Sequence, residues 1–313
     1  MINFDNYNFR ASGLGNIMAG VPKPLSNLQE KKFYDLSLKA RGIGAKLSEA
    51  ESITYYGFVA RKKEKCKLTD GAKSHLEKLV WNEVTGRQNK IKSKYLEKGI
   101  VSEEQAITLY SNVNKKLFLK NKERKMNDFF SGECDNVTDI IRDIKCSWEY
   151  NTFPLTDRKI ESKLYQWQGQ VYMNLWSLLK FELIYCLIDT PEHLVNKELI
   201  KLGYDLNIFN LAGDVREEYI DLVVEVVSDL IFTFRGIEKL CSSNPVLHIE
   251  WFKDFKEIPD EIRLKIFEME YSPKMIDQAK EMVVLSRKYM NSVLLEMGDN
   301  IIKFNKLNEQ KNA

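Results

Sequence analysis

The sequence predicts a mixed α/β fold, with a central β-sheet flanked by helices on both faces. Helical periodicity fills the first part of the chain, strand-like runs cluster in its middle, and a last strand-like run precedes a long C-terminal helical segment. With 44% hydrophobic residues and only 7 prolines among 313 residues, the chain can bury a substantial core. Its length suits one large domain, or one core with a sizeable insertion.

The helices of the first part follow from capping residues and glycine breaks. Ser12 precedes a short helical pattern, and residues 28–86 are typical of two or three helices. Ser102 is predicted to begin a further helix, in which Glu103 and Glu104 would place negative charge in the first turn.

Alternation of apolar and polar residues predicts the strands, and one continuous apolar run adds a buried strand. The predicted strands are residues 90–95, 116–120, 125–137, 139–146, 181–188 and 261–270. Helices are predicted at residues 157–179, at 192–244 and from Pro273 to about residue 307.

A strand-like run returns after the helices that begin at residue 192, so we interpret this segment as an inserted helical subdomain. The predicted organisation has three parts. Residues 1–189 form a core with the active site, residues 190–259 form the helical insertion, and residues 260–313 supply the final core strand and the C-terminal helix.

The distribution of charge is more informative than the net charge of +2. Residues 61–125 contain 18 Lys and Arg against 8 Asp and Glu, whereas the remainder contains 29 against 37. Two interpretations stay open at this point. The basic excess belongs to solvated helix faces, or it forms a face that binds a polyanion such as nucleic acid.

Cysteine usage and hydropathy disfavour several classes of protein. The five cysteines form no CxxC pair and have no close histidine partner, which disfavours zinc and iron–sulfur sites and fits a reducing cytoplasm. The most apolar stretch, residues 222–234, is interrupted by Glu225 and Asp229. We therefore predict a buried amphipathic helix there, and no membrane span.

Residues 132–148 give the strongest indication of chemistry. A hairpin would bring Asp135 and Asp143 together, and the period of a strand places Asp143 and Lys145 on one face and Ile144 on the other. Two carboxylates and an ammonium group in one place are costly unless a cation and an anionic substrate absorb the charge. Divalent-metal chemistry on a phosphodiester fits this group. An ordinary acidic hairpin turn is the alternative.

Two helical segments could complete the same site. A helix packed on the sheet could direct Glu103 towards a metal, and Glu104 could not join it because it lies about 100° around the helix. Gln168 and Tyr172 are four residues apart and share a helix face. If buried, they need hydrogen-bond partners, which an active-site wall would provide.

Taken together, these residues resemble the PD-(D/E)XK nuclease superfamily. The pattern consists of Glu103, Asp135, Asp143-Ile144-Lys145 and Gln168-xxx-Tyr172. Within the superfamily the chain is most similar to the phage lambda-type exonucleases, also called viral recombinase nucleases. The features that fit this branch are Lys98-Gly99-xxx-Glu103-xx-Ala106, Tyr165-xx-Gln168 and the N-terminal ASGLGNIM. Cys134 departs from the proline of the family motif, and Asp143 from the glutamate usual in this branch.

The resemblance covers about residues 10–189 and implies a restriction-endonuclease-like core. It implies a Mg²⁺-dependent deoxyribonuclease, with Mn²⁺ able to substitute, that acts 5′→3′ on double-stranded DNA ends. The implied metal ligands are Glu103, Asp135, Asp143 and the backbone carbonyl of Ile144.

Further residues receive roles from the same resemblance. Lys145 would orient or deprotonate the attacking water, and Gln168 and Tyr172 would position the strand. Ser12 is similar to the serine that meets the DNA 5′-phosphate, with a simple helix cap as the alternative, and Arg10 could join it by proximity.

DNA is the implied partner. A single-strand annealing protein and a homo-oligomer are further expected partners, in the cytoplasm of a bacterial host if the chain is phage-encoded. Two other functions stay open. One is an endonuclease of the same superfamily, and the other is a DNA-binding or assembly protein with an inactive nuclease fold. The complete set of Asp135, Asp143 and Lys145 disfavours the inactive protein.

Overall fold

The structure is a computed structural model that describes residues 2–87 and 93–298. It has the mixed α/β architecture that the sequence predicts. The chain divides into two units. The smaller consists of Met1–Phe9, Gly13–Gln88 and Pro273–Ala313, and the larger consists of Arg10–Ser12 and Asn89–Ser272. The division into core, helical insertion and C-terminal part stays a prediction.

The elements are numbered in chain order. The strands are β1 (Phe9–Arg10), β2 (Lys125–Met126), β3 (Phe130–Gly132), β4 (Asn136–Val137), β5 (Ile141–Cys146), β6 (Lys180–Cys186) and β7 (Leu264–Glu270). The helices are α1 (Ala11–Leu14), α2 (Asn27–Ala40), α3 (Glu49–Lys63), α4 (Asp70–Thr85), α5 (Lys94–Val113), α6 (Lys163–Trp176), α7 (Glu192–Leu206), α8 (Ile220–Leu230), α9 (Phe234–Ser243) and α10 (Pro273–Glu296).

The smaller unit is helical, and the two or three helices predicted within residues 28–86 are present as α2, α3 and α4. Each begins at a side-chain cap. Ser26 and Ser48 form reciprocal capping boxes with Gln29 and Glu51, and Thr69 accepts a hydrogen bond from a backbone N–H of α4. These caps satisfy N–H groups that a helix start otherwise leaves without partners.

The larger unit contains a four-stranded sheet in the order β4-β5-β6-β7. β4 and β5 are antiparallel, β5 and β6 are parallel, and β6 and β7 are antiparallel. The parallel pair needs a crossover, and α6 lies within the connection between its two strands. β2 and β3 form a separate antiparallel pair, in a small sheet of order β1-β3-β2.

Helices cover both faces of the central strand β5. On one face, Ala106 and Tyr110 of α5 pack against Ile144 of β5 and Ile184 of β6. On the other face, α6 approaches β6 at Gly169. This double cover explains why β5 is buried along most of its length.

Helices α7, α8 and α9 confirm the helical segment predicted for residues 192–244. They surround a hydrophobic cluster of their own, which includes Leu194, Val223, Val227 and Ile237. α8 is amphipathic, with Val223 and Val227 buried, as predicted for the most apolar stretch. None of the described helices has both the length and the apolar character that a bilayer-spanning segment needs.

The helix that contains Glu103 begins earlier than the sequence suggests. It starts at Lys94 after the cap Ser93, so Ser102 is buried in the middle of α5. The prediction that Glu103 and Glu104 lie in a first helical turn is therefore wrong. The first turns of α5 obscure its periodicity, because Tyr95 and Leu96 are apolar but exposed, whereas Lys98 is basic but fully buried.

Other local predictions are also corrected. Residues 116–120 form no strand but follow α5 as an irregular segment, in which Phe118 alone is buried. Of the strand predicted at residues 90–95, residues 90–92 lie outside the described residues, and Lys94 and Tyr95 are helical. α10 ends at Glu296, and residues 299–307 of its predicted extension lie outside the described residues.

The close approach of α6 to the sheet gives a stability prediction. A Cβ atom on Gly169 would lie 2.7 Å from Cδ1 of buried Phe181 and 2.5 Å from Cε of Met269. We expect Gly169→Ala to lower the free energy of unfolding by about 1–3 kcal/mol, because the ring of Phe181 must shift. Urea denaturation followed by circular dichroism measures this.

Gly99→Ala is the matched control, because Gly99 is also helical and nothing lies within 4 Å of its added Cβ. The better helix propensity of alanine should stabilise this variant by about 0.5–1 kcal/mol. Equal effects of the two substitutions would contradict the close packing of α6.

Candidate active site

The predicted hairpin is present, and it places the two aspartates opposite each other. Asn136 pairs with Arg142, and Val137 pairs with Ile141. The next pair along this antiparallel register is Asp135 with Asp143. Oδ2 of Asp135 also accepts a hydrogen bond from the backbone N–H of Ile144, at 2.5 Å. Asp135 is therefore fixed against the strand that carries Asp143.

The strand period places a lysine beside these carboxylates. Nζ of Lys145 lies 2.6 Å from Oδ2 of Asp143, and the two side chains are 27% and 3% exposed. Ile144 points to the opposite face, into the cluster with Ala106 and Ile184. This is the arrangement that the sequence predicts for the two faces of β5.

Burial and neighbouring charges together determine the pKa values of Asp135 and Lys145. Burial, and then the charge of Asp143, raise the pKa of Asp135 to about 7, while Lys145 and the Ile144 N–H oppose this. Burial by itself would lower the pKa of Lys145, but the charges of Asp143 and Asp135 outweigh it and raise the pKa. The Lys145 ammonium therefore stays charged beside the two carboxyl groups.

The Asp143 carboxylate is buried beside a cation. Its Oδ2 lies 2.6 Å from Nζ of Lys145, a charge-assisted contact. The Asp135 and Asp143 carboxyl groups are oxygen donors, which suit Mg²⁺ or Mn²⁺ better than zinc.

Helix α6 supplies a polar wall to the site. Nε2 of Gln168 lies 3.4 Å from Oδ1 of Asp143 and 3.0 Å from the hydroxyl of Tyr172. That hydroxyl donates in turn to the backbone carbonyl of Glu133, at 2.9 Å. A Cβ on Gly132 would lie 2.7 Å from the Tyr172 ring, so glycine is what lets β3 approach α6. The predicted shared face of Gln168 and Tyr172 is confirmed.

Tyr165, on the same helix, contacts the lysine. Its ring centroid lies 5.3 Å from Nζ of Lys145, within the range of a cation–π interaction. The ring packs edge-on against Tyr185 of β6. Trp176 packs edge-on against Tyr172. These aromatic rings limit the directions in which Lys145 can move.

Glu103 lies near the site, but its carboxylate is engaged elsewhere. Oε2 of Glu103 lies 2.7 Å from Nζ of Lys120. Across residues 2–87 and 93–298, no three Asp, Glu, His or Cys side chains form a group that could hold a metal ion. Glu103 is still close enough for its charge to contribute to the raised pKa of Asp135. The side chains of Asp135, Asp143 and Lys145 thus lie together beside α6. The carboxylate of Glu103 is not part of this group.

Ser12 and Arg10 are both exposed. Ser12 lies inside α1, so the interpretation of Ser12 as a helix cap is wrong. The residue before it, Ala11, has its Cβ 3.3 Å from where a Cβ on Gly132 would lie, and the Tyr172 ring borders the same point. Ser12 therefore follows directly after a residue that borders the wall of the site.

Arg142, which the sequence analysis did not single out, stabilises the hairpin on the face that α5 covers. Arg142 is 5% exposed, and its guanidinium donates to Glu182, Asn136 and Thr138 at 2.8, 3.2 and 2.9 Å, respectively. It also donates to the hydroxyl of Tyr110. These contacts connect β4, β5 and β6. A charged residue on the covered face of a strand is a sequence signal for such a buried network, because an unpaired charge there would be costly.

The sequence matches no protein-family model and none of the curated proteins to which it was compared. Among solved structures, it is similar to a phage-related exonuclease from Haemophilus somnus 129PT. The two share 23% sequence identity and a TM-score of 0.57, over 93% of this chain and 97% of that chain.

Two structures of LHK-Exo, an alkaline exonuclease from Laribacter hongkongensis, are also similar, and one of them is a complex with dAMP. Each matches at 12% identity and a TM-score of 0.39, over 78% of this chain and 88% of that chain. The fold agreement rests on the Haemophilus somnus structure. It confirms the predicted fold class.

Proposed function

We propose that this protein is a metal-dependent deoxyribonuclease, with Asp135, Asp143 and Lys145 at its active site. The observation that carries the proposal is the hairpin that sets Asp135 opposite Asp143, with Lys145 2.6 Å from Asp143. The shared fold supports it, because the similar Haemophilus somnus protein is described as a phage-related exonuclease.

The proposed metal ligands are Asp135, Asp143, Glu103 and the carbonyl of Ile144. Mg²⁺, or Mn²⁺ in its place, would supply Lewis-acid activation of the attacking water and neutralise charge at the scissile phosphate. Asp135 is already oriented by the N–H of Ile144. Glu103 would first have to leave its ion pair with Lys120.

Lys145 has the clearest catalytic role among these residues. Because the surrounding carboxyl groups raise its pKa, we assign it to orienting the water and stabilising the charge that develops on the phosphate. Deprotonation of the water by Lys145 is less favourable for the same reason. Gln168 and Tyr172 would hold Asp143 and position the DNA strand next to it.

We further propose a 5′→3′ exonuclease that acts on double-stranded DNA ends. The exposed Ser12, which follows a residue at the wall of the site, would bind the 5′-phosphate together with Arg10. Such an enzyme would produce 3′ single strands for an annealing protein, and so support phage-type recombination. Assembly of several copies of the chain belongs to the same proposal.

Two alternatives have distinct signatures. An endonuclease of the same fold would use the same three residues but would cut DNA away from its ends. An inactive DNA-binding or assembly protein would bind DNA in a salt-dependent manner without cleavage in Mg²⁺ or Mn²⁺. The contact between Lys145 and Asp143 favours an active enzyme, because it retains the charged group that the chemistry requires.

Asp143→Ala and Lys145→Ala should each lower the rate of Mg²⁺-dependent DNA degradation by roughly 10²–10⁴-fold. Each removes charge that acts on the water or on the phosphate, and the helices and the hairpin should remain. A gel assay of linear duplex DNA measures the rate, and circular dichroism checks the fold.

Asp139→Asn is the control, because Asp139 lies in the turn of the same hairpin but is exposed. It should degrade DNA at the wild-type rate. Full activity of purified Asp143→Ala or Lys145→Ala would reject the proposed active site.

Covalently closed circular DNA separates the two kinds of nuclease. An obligate exonuclease needs an end, so we expect linear DNA to be degraded and closed circular DNA to remain intact in Mg²⁺. Addition of EDTA should stop the degradation of linear DNA. Linearisation of the circle would show an endonuclease instead.

The proposed 5′-phosphate site makes its own prediction. Wild-type protein should degrade duplexes with 5′-phosphate ends several-fold faster than duplexes with 5′-hydroxyl ends, because Ser12 and Arg10 bind the phosphate. In Ser12→Ala this preference should shrink while the rate on hydroxyl ends is retained. Equal wild-type rates on both kinds of end would argue against the site.

A further inference from the structure

The segment between α5 and β2 forms a basic strap, which we define as residues 115–125. It contains six basic residues and one acidic residue, Glu123. The basic residues are Lys115, Lys116, Lys120, Lys122, Arg124 and Lys125. All are exposed except Lys125, which is half-buried. The strap is thus a strongly cationic surface within the larger unit.

Three hydrogen bonds fix the strap beside the candidate active site. The backbone N–H of Asn121 donates to the carbonyl of Asp135 at 2.7 Å, and its side-chain amide donates to the carbonyl of Cys134 at 3.0 Å. The side-chain amide of Asn136 donates to the carbonyl of Leu119 at 2.7 Å. The strap therefore runs along the chain segment that carries Asp135.

A buried aromatic ring anchors the strap at a second point. Phe118 is 6% exposed, and its ring centroid lies 4.7 Å from that of Tyr110 and 4.8 Å from the guanidinium carbon of Arg142. The basic side chains to either side of Phe118 remain exposed. The strap is thus held in place through its backbone and one ring, and its cations are left to face solvent.

The cations of the strap are engaged to different degrees. Lys120 pairs with Glu103, and Nζ of Lys125 lies 4.0 Å from Glu123. Within the described part of the chain, Lys115, Lys116, Lys122 and Arg124 form no ion pair. Of these four cations, Lys122 and Arg124 are nearest in the chain to Asn121, whose backbone N–H donates to the carbonyl of Asp135.

A cationic surface next to a pair of carboxyl groups suits a polyanion whose charges are spaced along a chain. Phosphates of the DNA backbone have this character, and Lys and Arg contacts to them fix the register of a protein on DNA. One phosphate could approach Lys145 while its neighbours lie along the strap. An isolated small anion would use only one end of this surface.

We propose that the basic strap binds the phosphate backbone of the DNA strand next to the scissile bond, with Lys122 and Arg124 as the phosphate contacts. This rests on the proposed function, since DNA is the substrate that the nuclease proposal supplies. The excess of basic residues extends over residues 61–125. Among these, the proposal assigns DNA binding to the strap, because hydrogen bonds connect the strap to the segment that carries Asp135.

The test compares DNA binding by wild-type protein and by the double variant Lys122→Ala/Arg124→Ala. Binding to a short fluorescent duplex is measured in EDTA, over a series of salt concentrations, so that no cleavage is required. The slope of log K against log salt should fall by about 2 in magnitude, because two phosphate contacts are lost. In Mg²⁺, KM for DNA should rise roughly tenfold while kcat at saturating DNA is unchanged.

Two control variants test whether the effect depends on where the substituted residues lie and on the loss of their positive charge. Lys253→Ala/Lys256→Ala removes the same charge from exposed residues of the same unit outside the strap, and its salt slope should equal that of wild type. Lys122→Arg/Arg124→Lys keeps both charges and should also bind like wild type. Lys120 is left unchanged throughout, because its removal would also release Glu103.

The outcomes separate the strap proposal from the nuclease proposal. An unchanged salt slope in the Lys122→Ala/Arg124→Ala variant would overturn the strap proposal, even if wild-type protein degrades DNA. An equal loss of slope in the Lys253→Ala/Lys256→Ala variant would overturn it as well. If wild-type protein binds but never cleaves DNA, the nuclease proposal fails, and the slope still decides the role of the strap.

Discussion

The candidate site depends on one electrostatic contact, in which the Lys145 ammonium lies beside a pair of aspartates in a largely buried place. Without this positive charge, two carboxylates held against each other would repel, and burial together with the charge of Asp143 raises the pKa of Asp135. The Lys145 ammonium offsets part of this negative charge. Such a group can be stable in the folded protein and still attract a cation and a phosphate.

The contact between Lys145 and the aspartates is possible because the two faces of β5 pack against different helices. Asp143 and Lys145 face α6, whereas Arg142 and Ile144 face α5. On the α5 side, the guanidinium of Arg142 joins three strands and is fully compensated by its partners. The hairpin is thereby fixed on the face that α5 covers, and the two aspartates lie on the other face, beside α6. Rigid support of this kind is what a site with close charges needs.

The surroundings of the site can be understood in the same electrostatic terms. Lys120 forms an ion pair with Glu103 near the two aspartates. The strap that carries Lys120 also contains Lys122 and Arg124, which form no ion pair with any residue that the structure describes. A pair of carboxyl groups bordered by several cations suits a substrate that itself carries a row of charges. DNA, held by several phosphates and cut at one of them, matches this distribution.

The sequence by itself determined the local part of this structure. Strand period and hairpin spacing depend only on neighbouring residues, so they placed Asp135, Asp143 and Lys145 correctly, and helical spacing placed Gln168 beside Tyr172. The helical pattern of residues 28–86 similarly predicted the helices of the smaller unit, which are present as α2, α3 and α4.

Only the tertiary structure decided the contacts between distant segments. It paired Glu103 with Lys120, placed Ser102 within a helix, and fixed an irregular strap where a strand was predicted. These outcomes depend on which helix face meets the sheet and on which carbonyl an asparagine can reach. Such choices arise from packing between elements far apart in the chain, and local periodicity carries no information about them.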